Sequence, residues 1–215
     1  MKKVFLSALA ISMLSVFACS VEKSESIPLP FYNTAEFTPE WIEEGTEAYN
    51  NIHRITDFTF TNQEGLSFGS SNLKGKIYVA DFFFTICPSI CPKMTSNLAK
   101  VLDAFEINDI QLVSFSVMPW VDSVSILKEY ADLKGIDQDQ WNLLTGPKKE
   151  IYQLARQSYF AEKEIGLDKD SNEFLHTENF VLVDQKGRIR GVYNGTLGLE
   201  VNRLITDIKT LLELG

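Results

Sequence analysis

Three cysteines and two histidines are all the thiols and imidazoles in a chain of 215 residues, so each can be judged singly. Cys87 and Cys91 stand in Thr85-Ile86-Cys87-Pro88-Ser89-Ile90-Cys91-Pro92, between a strongly apolar run and a segment with helical spacing. A separation of four brings two side chains onto one face if the segment turns helically. The partial positive charge of a helix N-terminus then favours thiolate. Both features suit a metal or a reversible disulfide. A static disulfide, two inert core thiols and chance spacing are the alternatives. A disulfide closing so short a loop adds little stability by chain entropy, and inert thiols need no flanking prolines. Reactive chemistry is the reading preferred.

The third cysteine has a different setting. Lys2 and Lys3 precede an apolar stretch from Val4 to Ala18 broken only by serines, the charged and apolar regions of a secretory signal. The stretch is too short for a comfortable membrane span, which needs about 20 residues. It ends in Val16-Phe17-Ala18-Cys19, which resembles the lipobox of bacterial lipoproteins, where the cysteine is acylated and becomes the new N-terminus. The expectation is a signal peptide over 1–18, a Cys19 lipid anchor, and a location in the cell envelope facing the periplasm. An ordinary signal peptide with an incidental cysteine is the alternative. Residues 19–50 are polar and carry Pro28, Pro30 and Pro39, as a tether does, although Phe31, Tyr32, Phe37 and Trp41 suggest that part of it packs on the domain.

Twenty basic against 29 acidic residues give a net charge of −9, and loss of Lys2 and Lys3 moves it to −11. Such a chain lacks the positive face that neutralises phosphates, which argues against nucleic acid as a partner. It also has no polybasic patch for an anionic membrane, so the lipid must do the anchoring.

Positioning of the cysteines falls to the domain expected over 51–215. Ile55–Thr61 alternates, and the turn residues Asn62-Gln63-Glu64-Gly65 lead to Leu66-Ser67-Phe68, a β-hairpin pattern. Lys76–Thr85 reads as a central strand covered on both faces. A helix over Met94–Phe105, a strand over Ile110–Met118 and a helix from an Asp122 N-cap to Lys134 follow, the last closed by Gly135. Then come a short strand at Trp141–Leu144, a helix opened by Pro147, a hairpin of Phe180–Val183 with Ile189–Tyr193, and a helix over Glu200–Leu212. Strands alternating with helices predict an α/β thioredoxin-like sandwich with a mixed sheet, an extra N-terminal β-hairpin and flanking helices.

At T-x-C-P-x-x-C-P after an apolar strand, the sequence resembles the Sco/SenC proteins, thioredoxin-fold copper-binding factors for cytochrome c oxidase assembly. The likeness extends over roughly 52–214. It takes in Asp57-Phe58 with Gln63-Glu64-Gly65, Ser125-Ile126-Leu127-Lys128-Glu129-Tyr130, Trp141-Asn142-Leu143-Leu144-Thr145-Gly146, and His176 before Phe180-Val181-Leu182-Val183-Asp184. The resemblance implies a copper site of Cys87, Cys91 and His176, serving the copper-binding subunit of the oxidase or another copper chaperone. Thiolates select Cu(I), and an imidazole suits either Cu(I) or Cu(II). A structural zinc site is closed by four ligands, and the chain offers no fourth cysteine or convenient histidine. His53 lies outside the motif and reads as a surface residue.

A thiol-disulfide oxidoreductase, reducing the cysteines of the oxidase copper site or of other exported proteins, is the second expectation. Peroxiredoxin-like peroxidase activity is weaker, because the second cysteine follows so closely and no arginine neighbours the first. The family's S-V-D-P segment is here Ser116-Val117-Met118-Pro119, without its acid; Met118 and Met94 read as packing residues. Asp81 is an acid inside an apolar strand, where a charge is costly without a task or partner. It lies six residues before Cys87, the spacing of the buried aspartate that moves protons in thioredoxin-like reductases. It is a candidate proton shuttle if buried near the pair; an edge or twisted strand that leaves it facing water or bonded to backbone is the alternative.

Overall fold

The computed structural model describes residues 28–161 and 177–214. Cys19 and His176 lie outside the described residues. Nine strands and six helices follow in chain order among those described. Strands β1 (Phe31–Tyr32) and β2 (Pro39–Glu40) form a small antiparallel pair, followed by α1 (Glu47–Asn50). Then come β3 (Thr59–Asn62), β4 (Ser67–Gly69), α2 (Ser70–Leu73), β5 (Ile77–Phe83), α3 (Cys91–Leu102) and β6 (Ile110–Ser116). The chain continues through α4 (Val124–Lys134), β7 (Trp141–Thr145), α5 (Lys148–Gln157), β8 (Asn179–Val183), β9 (Ile189–Asn194) and α6 (Gly198–Leu214).

Seven strands make one mixed sheet in the order β4-β3-β7-β6-β5-β8-β9. The central β5, β6 and β7 run parallel, and the hairpins β3–β4 and β8–β9 extend the sheet antiparallel on either side. Every residue of β5 and of β6 is buried, as expected of strands sandwiched between two layers. On one face Val79, Phe83, Leu112 and Leu182 meet Met94 and Leu98 of α3, Leu127 of α4 and Leu204 of α6. On the other, Phe115, Phe82 and Val181 meet Ile151 and Tyr152 of α5 and the hairpin aromatics Phe58 and Phe60. This is the thioredoxin-like sandwich, with the extra hairpin in place.

Three elements differ from the sequence reading. The β3 strand begins at Thr59 rather than Ile55, because the Ile55 N–H is drawn to the Gly187 carbonyl (2.8 Å) and the Phe58 N–H to Ser70 Oγ (2.9 Å). Helix α3 starts at Cys91, three residues before Met94, with Pro92 in the first turn, where its missing N–H costs nothing. Ser123, not Asp122, caps α4, accepting from the Ile126 N–H (3.4 Å), while Gly135 closes that helix in the left-handed conformation (φ 67°) as expected.

The stretch read as a tether is built into the domain from Pro28 onward. Phe31 is buried, with the Arg190 and Arg188 guanidinium carbons 4.1 and 4.8 Å from its ring centroid. Arg190 also donates to the carbonyls of Leu29 (2.5 Å) and Pro30 (3.0 Å). His53 is half-buried rather than a free surface residue: its Nε2 lies 2.8 Å from the Ser158 carbonyl, and its ring packs 4.5 Å from that of Phe160. No helix among the described residues is long and apolar enough to cross a membrane.

Candidate metal centre

Parallel pairing brings the carboxyl ends of β5 and β6 to the same edge of the sheet, where Val117 N–H donates to the Phe83 carbonyl (2.9 Å). The cysteine segment leaves β5 at this edge, the place where open α/β sheets hold their ligands. The chain turns at once, with Cys87 N–H reaching back to the Phe84 carbonyl (3.3 Å), and enters α3 at Cys91. Cys91 N–H, one of the helix's unsatisfied donors, points at Cys87 Sγ (3.4 Å). The two thiols are free and little exposed, 7% for Cys87 and 4% for Cys91.

Their environments differ. Burial pushes the Cys87 thiol up, but hydrogen bonds from the Cys91 side chain and from the N–H groups of Cys91, Ser89 and Ile90 outweigh it and hold its pKa below the usual thiol range. Burial also pushes the Cys91 thiol up, to about 12, and there its hydrogen bond with Cys87 adds to the rise. Of the two, Cys87 is the thiol that ionises more readily. Among the described residues no group of three or more His, Cys, Asp and Glu side chains is gathered closely enough to hold a metal ion.

Asp81 is buried, 3% exposed, on the face of β5 that also packs against α3. Burial raises its carboxyl to about 7, partly offset by a short hydrogen bond from Ser114 Oγ. Ser114 accepts in turn from Trp141 Nε1–H (2.8 Å), so its single proton is committed to Asp81. The Asp81 charge helps to raise Cys91, which sets the acid within electrostatic reach of the pair.

A family model described as SCO1/SenC matches residues 46–213. This chain belongs to the SCO1/SenC family. The SCO1 protein homolog of Bacillus subtilis is 36% identical over 162 residues, 74% of this chain and 82% of that protein. Among solved structures, that of BsSco, a member of the Sco family of cytochrome c oxidase assembly proteins in which a disulfide switch is identified, is 31% identical with a TM-score of 0.63 and covers 77% of this chain and 96% of its own. Copper-bound ScoI of Bradyrhizobium japonicum is 25% identical with a TM-score of 0.58, covering 73% of this chain and 98% of its own.

Two parts of this SCO1/SenC site escape the sequence reading. One is the Ser114–Trp141 relay to Asp81. Its signal was a second polar residue inside an apolar strand, and the register pairs Asp81 with Ser114 directly. The other is Asp122, wholly buried, whose carboxylate turns back from the start of α4 to Thr85 and Ser116. Met118 is half-buried, its N–H held by Ser116 Oγ (3.1 Å), and Met94 lies in the core under the cysteines.

Proposed function

We propose that this chain is a copper-binding factor for assembly of the copper site of a respiratory cytochrome c oxidase, and that Cys87, Cys91 and His176 hold the metal. The observation that carries the reading is the pair of free thiols at the N-terminus of α3, with the Cys91 N–H aimed at Cys87 Sγ. Two soft sulfurs, one of them readily ionised, favour Cu(I). Copper bound to ScoI and the assembly role of the Sco family, to which BsSco belongs, support the same cargo and the same destination. What supports His176 as third donor is the direction of β8. It runs antiparallel to β5, so its first residues stand at the edge where β5 hands over to the cysteine segment, and His176 lies three positions before β8 in the sequence.

The test is titration of the reduced full-length protein with Cu(I) against a chromophoric competitor. Wild type takes one equivalent, Cys87→Ser and Cys91→Ser retain none against the competitor, and His176→Ala weakens binding at least tenfold. Unchanged binding in His176→Ala removes the histidine from the site.

Buried Asp81 favours a second reading, a thiol-disulfide oxidoreductase that reduces the cysteines of the oxidase copper site or of other exported proteins. A neutral carboxyl near the pair can supply a proton to a departing thiolate and recover it later. The Val16-Phe17-Ala18-Cys19 segment supports a lipid-anchored chain on the periplasmic side of the cell envelope, and a mature N-terminus without acyl mass on Cys19 removes that part of the proposal.

A further inference from the structure

We propose that Asp122 is the positioning residue for Cys87, acting through Thr85 to hold the cysteine segment in its reduced geometry. The inference rests on the reading of Cys87 and Cys91 as the working pair. A carboxylate that is 0% exposed needs compensation, and among the described residues no Lys, Arg or His forms an ion pair with it. Four contacts from two residues supply it instead. Thr85 Oγ1–H donates to Oδ1 (2.5 Å), Ser116 Oγ–H donates to Oδ2 (2.5 Å), and the Thr85 N–H points between the two oxygens (3.4 and 3.3 Å).

All of these donors belong to the cysteine edge. Thr85 is two residues before Cys87, and Ser116 ends β6 and also holds the Met118 N–H. One side chain at the mouth of α4 thus ties the exit of β5 to the exit of β6. With Thr85 fixed in both backbone and side chain, the next turn is set so that Cys87 N–H meets the Phe84 carbonyl and the Cys91 N–H meets Cys87 Sγ. The second of these contacts stabilises negative charge on sulfur and therefore favours the reduced pair. Asparagine at 122 fills the same volume but turns one acceptor into a donor facing donors.

The experiment equilibrates the full-length protein with reduced and oxidised glutathione and counts the Cys87 and Cys91 thiols left free by alkylation and mass spectrometry. In the reaction the two protein thiols give up two electrons and two protons and form an S–S bond. The S–S bond of oxidised glutathione breaks, and its sulfurs take up both to become two thiols. Asp122→Asn and Thr85→Val shift the equilibrium about tenfold toward the disulfide, about 30 mV for a two-electron couple. Thr85→Ser, which keeps the hydroxyl, stays within twofold of wild type. The Asp122→Asn, Thr85→Val double variant shifts no further than the larger single, because both act through one contact. Tyr193→Phe, which loses a hydrogen bond to Asp207 instead, lowers stability without moving the equilibrium. If Asp122→Asn does not fold, Thr85→Val carries the same readout. Folded Asp122→Asn or Thr85→Val within twofold of wild type overturns the proposal. Failure of the wild type to bind Cu(I) overturns the copper reading and leaves this equilibrium to be judged on its own numbers.

Discussion

Asp81→Asn is expected to stabilise the protein at pH 8 by several kcal/mol and to change it little at pH 4. The native carboxyl titrates at about 7 because burial opposes its charge, against an ordinary 3.8. Between those values the native state holds a proton that the unfolded state has released, so wild-type stability falls as pH rises through the window. The loss is complete above about pH 7 and amounts to on the order of 4 kcal/mol. Asparagine does not titrate, keeps an acceptor for Ser114 Oγ, and leaves the Trp141 contact intact. Urea unfolding of both proteins at pH 4 and pH 8 checks this, with the midpoint difference growing toward high pH. A difference equal at the two pH values places the cost elsewhere. The same variant slows thiol-disulfide exchange while leaving Cu(I) affinity near wild type, which separates a role in proton transfer from one in metal binding.

The second large effect is expected at the opposite end of β5. Asp184, 2% exposed, accepts from Arg188 Nε and Nη2 (both 2.8 Å), from Arg190 Nη1 (3.3 Å), and from the N–H groups of Lys186 and Arg188 (both 3.0 Å) in the β8–β9 turn. Asp184→Ala leaves two nearly buried guanidinium groups without their counter-ion, a change that costs about 3–5 kcal/mol when one partner of a buried pair is removed. At about 2–4 °C per kcal/mol for a domain of this size, the melting temperature falls by roughly 6–20 °C. The loss also reaches the N-terminal arm, since Arg190 holds the carbonyls of Leu29 and Pro30 and both arginines cover Phe31. Limited proteolysis is therefore expected to cut the arm near Tyr32 before the domain unfolds. A melting temperature within 2 °C of wild type shows instead that the arginines find water or other acceptors.

What the sequence reveals and what it hides follow from the range of the interactions. The cysteine pair, the strand before it and the helix after it are local patterns, and the hairpins announce themselves through turn residues, so these were legible. Asp122 and Ser123 are both good caps side by side. Which one serves is decided by Thr85, 37 residues away, a contact no local pattern encodes. The burial of Asp81 was open for the same reason: an acid in an apolar run is satisfied or not according to what the neighbouring strand places opposite, and only the parallel register sets Ser114 there. The aromatic residues of the presumed tether hinted at packing, but the arginines that receive Phe31 lie about 160 positions on.

The proposed copper and dithiol chemistries would share the same two sulfurs, so the central claim is best tested by following the metal and the electrons together. The chain loaded with one equivalent of Cu(I) is mixed with the reduced, copper-free copper-binding domain of the oxidase subunit, and the metal content and free thiols of both are measured after separation. The account predicts that copper moves to the oxidase domain while the thiol count of that domain changes only through metal binding. Copper retained by this chain, together with reduction of the oxidase domain's disulfide when that domain is supplied oxidised, contradicts it and assigns the pair to disulfide exchange.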